Sequence, residues 1–169
     1  MTTAPPTAAT EVLKLIQDQL AEERSTKTSL EGRAVAVITT SGTLTTLLFA
    51  LSALVTKGSD YSLPWPARVL LILAVAAFLA AAVIAILAAR PQAYREVTVD
   101  SLREAAAAEN LALPASEAQP EIAGGLIDII QRSRENNGTK ADRLKAAIGA
   151  EVAGIVLVAA AVVTILIEA

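Results

Sequence analysis

The chain has 169 residues, of which 54% are hydrophobic and only 3% aromatic, so Ala, Leu, Val and Ile supply most of its apolar character. It contains no Cys and no His, which excludes disulfides, thiolate or imidazole metal sites, Cys nucleophiles and every His-dependent triad. A formal net charge of −3 gives a nucleic-acid partner little electrostatic support, and the length suits one domain or one small membrane module.

Residues 1–9 (MTTAPPTAA) are rich in Pro and Ala and are expected to be disordered. Thr10 is placed to cap a helix that starts at Glu11, with Leu13, Ile16 and Leu20 on one stripe. Glu23–Lys27 and Lys27–Glu31 are i,i+4 pairs that favour carrying this helix, residues 10–33, straight into the apolar block behind it.

Three such blocks stand out: 34–56, 67–89 and 146–167, each of 22 or 23 residues. At about 1.5 Å per residue, a helix of that length crosses a hydrocarbon core of roughly 30 Å. The first block is too long for the apolar region of a signal peptide, which runs about 7–15 residues. Three helices buried in a soluble bundle would need polar faces, and the middle block has none. The fold class expected is therefore all-α, an integral membrane protein with three transmembrane helices and additional cytosolic amphipathic helices.

Orientation follows the basic residues. Lys14, Arg24, Lys27 and Arg33 precede the first block, and eight more lie between Arg90 and Lys145. The outer connection 57–66 and its flank offer only Lys57 and Arg68. Twelve against two places the N-terminus and the 90–145 segment in the cytoplasm and the C-terminus outside. Tyr61 and the Pro64-Trp65-Pro66 run fall in the outer loop, where a Trp suits an interfacial anchor.

Within 90–145, Ser101 and Glu104 have the spacing of a capping box for a short Ala-rich helix ended by Pro114, and 114–120 (PASEAQP) reads as a linker. From Glu121 onward, Ile122, Leu126, Ile129 and Ile130 recur at helical spacing. Asn136-Asn137-Gly138 is a potential break. Lys140, Leu144 and Ala147 restore the pattern at once, which favours a continuous helix into the third block.

The first block carries an unusual load of hydroxyls. Gly32–Gly58 holds eight Ser and Thr residues and no charge between Arg33 and Lys57. At 100° per residue, Thr39, Gly42, Thr43 and Thr46 form one stripe, and Ser41, Thr45, Ser52 and Thr56 a second. Such hydroxyls either bond to their own helix and pack against a neighbour, or make a weakly polar lining when several copies assemble. In the second block Ala77, Ala81, Ala85 and Ala89 recur every fourth residue, a ridge on which two backbones can approach closely. Glu151 is the single carboxylate inside a block. It is expected to reach the interface or to meet Lys145 or Arg143; the functional alternative is a pore mouth or a proton-sensitive position. Carboxylate pairs for hydrolysis, Gly-rich phosphate loops and zinc spacings are absent from the sequence, so neither catalysis, a cofactor nor a metal is expected.

A charged helix with ERSTKTSLEGR leading into a first span, a short outer loop, a second span, and a cytosolic helix with RSRENNGTKADRLKAA entering a last span make a familiar order. Over about residues 10–167 it resembles the membrane modules of bacterial anti-phage effectors, the Pycsar-type transmembrane effectors and the related SLATT group. The resemblance implies an oligomeric inner-membrane effector that a nucleotide signal switches on to damage the membrane. The 33 residues before the first span are too few for a fused sensor domain, so the signal is expected to bind the 90–145 segment or a separate sensor partner. A non-conducting membrane anchor whose cytosolic helices hold a partner protein is the alternative function.

Overall fold

The computed structural model describes residues 8–58, 63–90 and 115–168, and within these the side chains at 8–9, 54–58, 115–118, 121 and 168 are left aside. All secondary structure among the described residues is helical: α1 (Ala8–Gly58), α2 (Trp65–Ala89) and α3 (Ala115–Glu168). Each contains a stretch long and apolar enough to cross a membrane.

Sequence periodicity located these helices and misplaced several of their ends. The 10–33 and 34–56 segments are one uninterrupted helix of 51 residues. It starts at Ala8, so Thr10 lies within its first turn instead of capping it. Its far end reaches Gly58, and α2 begins at Trp65, which shortens the outer connection from both sides. The segment 114–120 is not a linker, because α3 already begins at Ala115 and takes Pro120 into its second turn. There a Pro forfeits one i→i−4 hydrogen bond, a loss that the following 48 residues of helix outweigh. Asn136–Gly138 does not interrupt α3, as the restored pattern after it indicated. The capping box at Ser101, the Ala-rich helix after it, and Tyr61 fall outside the described residues.

The chain divides into two compact units, Met1–Thr28 with Pro91–Gly138 and Ser29–Arg90 with Thr139–Ala169. In the first, α1 and α3 run parallel across a polar seam. Arg134 donates to Glu23 (2.9 Å) and to Gln19 (2.7 Å), and Asn137 Nδ2 donates to the Glu23 backbone oxygen and carboxylate. Among the described residues of this unit, Ile16 and Ile130 are the buried hydrophobic side chains.

The second unit contains all three helices. Arg143 meets the Leu87 carbonyl and Gly154 meets Phe78, so α2 is antiparallel to α3. Glu31 pairs with Lys140, and Thr40 with Glu151, so α1 and α3 are parallel here too. The core is built mostly of small residues: Ala34 and Val37 from α1, Ala81, Ala85 and Ala88 from α2, and Leu144 and Ala147 from α3. Small side chains let helix backbones approach closely, which compensates for the scarcity of large rings. The outer surface is apolar in turn, with Leu51, Ile72, Leu79, Val83, Val156 and Leu166 all exposed. Large apolar side chains are thus exposed along all three helices of this unit.

Candidate functional site

The polar residues between Thr39 and Thr46 sort onto two sides of α1. On the side that meets α3, Thr40 Oγ1 and Ser41 Oγ (3.4 Å) both donate to Oε1 of Glu151. Ser41 is buried, Glu151 is half-buried, and Thr45 behind them donates to the Ser41 carbonyl at 2.8 Å. Glu151 therefore does not take either cation expected for it. Lys145 pairs with Asp142 one turn away on α3, and Arg143 donates to the last turn of α2. The geometric reason is rotation along α3. Leu144 and Ala147 point into the core, while Arg143 and Lys145 on either side of Leu144 point out.

A second charged contact lies farther toward the N-terminal end of the same seam. Lys140 has a side-chain exposure of 1% and donates to Glu31 at 2.6 Å. A buried ammonium of this kind persists only when paired, since an isolated charge away from water costs several kcal/mol. Between this pair and Glu151 the seam is closed by Ala34, Val37, Leu144 and Ala147, so the two polar sites are separated by an apolar layer.

On the other side of α1, Thr39, Gly42, Thr43 and Thr46 are all exposed. The three hydroxyls donate to the carbonyls four residues back, Val35, Thr39 and Gly42, at 2.8–3.0 Å. That satisfies their single proton and leaves lone pairs open as acceptors. A Cβ added at Gly42 would meet nothing within 4 Å. The second hydroxyl stripe does not stay on one environment: Ser41 is buried, Thr45 half-buried and Ser52 exposed, and the Thr56 side chain lies outside the description.

The Ala ridge is internal. Ala81 and Ala85 are completely buried against α1 and α3, with Ala77 and Ala89 half-buried beside them. Sequence reasoning missed that Thr40, Glu31, Lys140 and Asn137 take part in polar contacts between helices. Thr40 and Ser41 belong to a hydroxyl-rich run, and nothing in it says which members face a carboxylate 110 residues away. The Phe78–Gly154 contact was also hidden, because a glycine in an Ala-rich block reads only as another small residue. Among the described residues there is no group of three or more acidic residues placed to hold a metal ion. Neither a protein family, a curated protein nor a solved structure matches the chain.

Proposed function

We propose that the chain is a bacterial inner-membrane protein with three transmembrane helices whose copies assemble and permeabilise the bilayer, in the manner of the anti-phage effectors it resembles. The observation that carries this reading is the outward stripe of Thr39, Gly42, Thr43 and Thr46, which lies among exposed apolar side chains such as Val35, Leu47 and Phe49. Facing lipid, these hydroxyls gain nothing beyond their own backbone bonds. Facing the same stripe on other copies, their open lone pairs accept hydrogen bonds from water and keep a conduit wet.

The test is dye leakage from liposomes holding the purified chain. T39V/T43V/T46V keeps the shape of the face and removes its polarity, and an apolar constriction tends to dewet. Leakage per molecule should fall while the amount in the membrane is unchanged. Normal leakage at normal abundance rejects the lining. The proposed orientation is checked separately: alkaline phosphatase fused at the C-terminus should be active and a green fluorescent fusion there dark.

The non-conducting anchor has one observation in its favour. In the first unit Val12, Leu15, Ile122 and Ile127 are more than half exposed, an apolar presentation that a bound partner protein would cover. An anchor would leak no dye in either form of the chain.

A further inference from the structure

The layer of the second unit built from Ala34, Ala88, Leu144 and Ala147 fixes the height of several basic residues. Arg33 immediately precedes Ala34, Arg90 follows Ala88 by two positions, and Arg143 immediately precedes Leu144. One arginine from α1, one from the C-cap of α2 and one from α3 therefore border the same core layer, and all three are exposed. Lys140 and Lys145 lie at this end too, but Glu31 and Asp142 engage them. No carboxylate among the described residues forms an ion pair with Arg33, Arg90 or Arg143. Arg143 donates from Nη1 to the Leu87 carbonyl at 3.2 Å, which holds its guanidinium beside the end of α2 that Arg90 caps. The apolar surface begins directly beyond this layer, with Val35, Leu87 and Ile148 exposed.

We infer that Arg33, Arg90 and Arg143 form a collar that binds the phosphates of anionic glycerophospholipids in the adjoining leaflet. This rests on the membrane reading proposed above and adds the class of lipid. A guanidinium grips a phosphate through parallel N–H donors, whereas zwitterionic lipids bring their own ammonium to the same phosphate. Three guanidinium groups without carboxylate partners among the described residues, at the boundary where a membrane's polar headgroups begin, complement a surface of net negative charge. Their placement is also economical for orientation, since the apolar length of all three helices starts from this one level.

The experiment uses the full chain in vesicles of equimolar phosphatidylcholine and phosphatidylglycerol, with bound lipid read by native mass spectrometry. Wild type should retain phosphatidylglycerol over phosphatidylcholine by at least about fivefold, the contribution of roughly one basic residue at an anionic surface. R33Q/R90Q should bring that ratio down by at least about fivefold. Among the described residues neither side chain has an ion-pair partner, and the thermal midpoint of R33Q/R90Q in detergent should match that of wild type, which separates lost lipid contact from unfolding. R143Q should lower it as well, and about 1 M salt, with a Debye length of ~3 Å, should erase it. Free glycerol 3-phosphate should not displace the lipid; displacement would overturn a leaflet lipid as the ligand. Equal retention of the two lipids by wild type, or an unchanged ratio in R33Q/R90Q, overturns the collar. Resistance to extraction by alkaline carbonate from pure phosphatidylcholine vesicles tests membrane insertion alone, so failure of the collar and failure of the membrane reading give different results.

Discussion

Thr39 and Thr40 are adjacent in sequence and differ in what they do. Thr39 points out of the three-helix unit and returns its proton to the Val35 carbonyl. Thr40 sits within reach of the Ala36 and Val37 carbonyls and also of Glu151 on α3. The same division separates two glycines. Gly42 on the outward side has open space where a Cβ would be, whereas a Cβ at Gly154 would lie 2.7 Å from the ring of Phe78. The side facing the other helices is thus specified atom by atom, and the outward side is not. Hydroxyl content alone does not distinguish packing from function; what lies across from each hydroxyl does.

The inward side should therefore be the fragile one. Replacing Ala81 and Ala85 together with Leu forces two larger side chains against Ala34, Val37, Leu144 and Ala147, where neither residue has any exposed surface. Overpacking of this kind costs about 1–3 kcal/mol per site, and the thermal midpoint of the purified chain in detergent should drop accordingly. An unchanged midpoint would mean that the ridge does not lie inside the unit. Gly154→Ala is a smaller intrusion at one site, placed against the ring of a fully buried Phe78, and belongs at the low end of that range. Phe78→Leu in the same chain should recover part of the loss by making room for the new methyl group. No recovery would put the strain elsewhere.

Next in size is the pair T40V/S41A, which removes both donors to Glu151 and leaves its carboxylate facing two apolar groups. Losing the donors to a buried charge costs up to about 3 kcal/mol, but Glu151 is half-exposed and water can take over part of its solvation, so about 1 kcal/mol is expected. Adding Glu151→Leu to the double variant should restore most of that, since the stranded acceptor is then gone. If the double variant is as stable as wild type, the contact between α1 and α3 at this level contributes nothing measurable.

How much of this could be read in advance follows the same division. The three apolar blocks, their helical state and the continuity through Asn136–Gly138 were legible because helix period and block length are local properties. The role of Ala81 and Ala85 was half legible: the ridge was visible, its occupant was not. The expected partners of Glu151 were wrong because Arg143 and Lys145, close in sequence, are rotated away from it on the helix. Its actual partners come from α1, more than 100 residues away. The Lys140–Glu31 pair was obscured in the same way, since Lys140 looks in the sequence like one more member of a basic flank. Pro114 and Pro120 read as the edges of a linker because a Pro usually marks a boundary. In α3 the helix starts between them and absorbs the second near its beginning, where the cost is one hydrogen bond.

The smallest effect, and the most informative about the outward side, belongs to Gly42→Ala. In a single copy the new methyl group meets nothing within 4 Å, and Gly is a poorer helix residue than Ala by roughly 0.5–1 kcal/mol in an exposed position. The substitution should therefore raise the thermal midpoint of the chain slightly, opposite in sign to Gly154→Ala. Assembly is where the same change can be costly. If copies meet along Thr39, Gly42, Thr43 and Thr46, the glycine is where two backbones come closest, and a methyl group there pushes them apart. Cross-linking in membranes and the midpoint in dilute detergent read these two quantities independently. A higher midpoint together with weaker cross-linking places the contact between copies on this stripe. A higher midpoint with unchanged cross-linking leaves the stripe facing lipid, and the assembly would then have to use another face of the unit. A lower midpoint would contradict the open space beside Gly42, and with it the distinction between the two sides of α1.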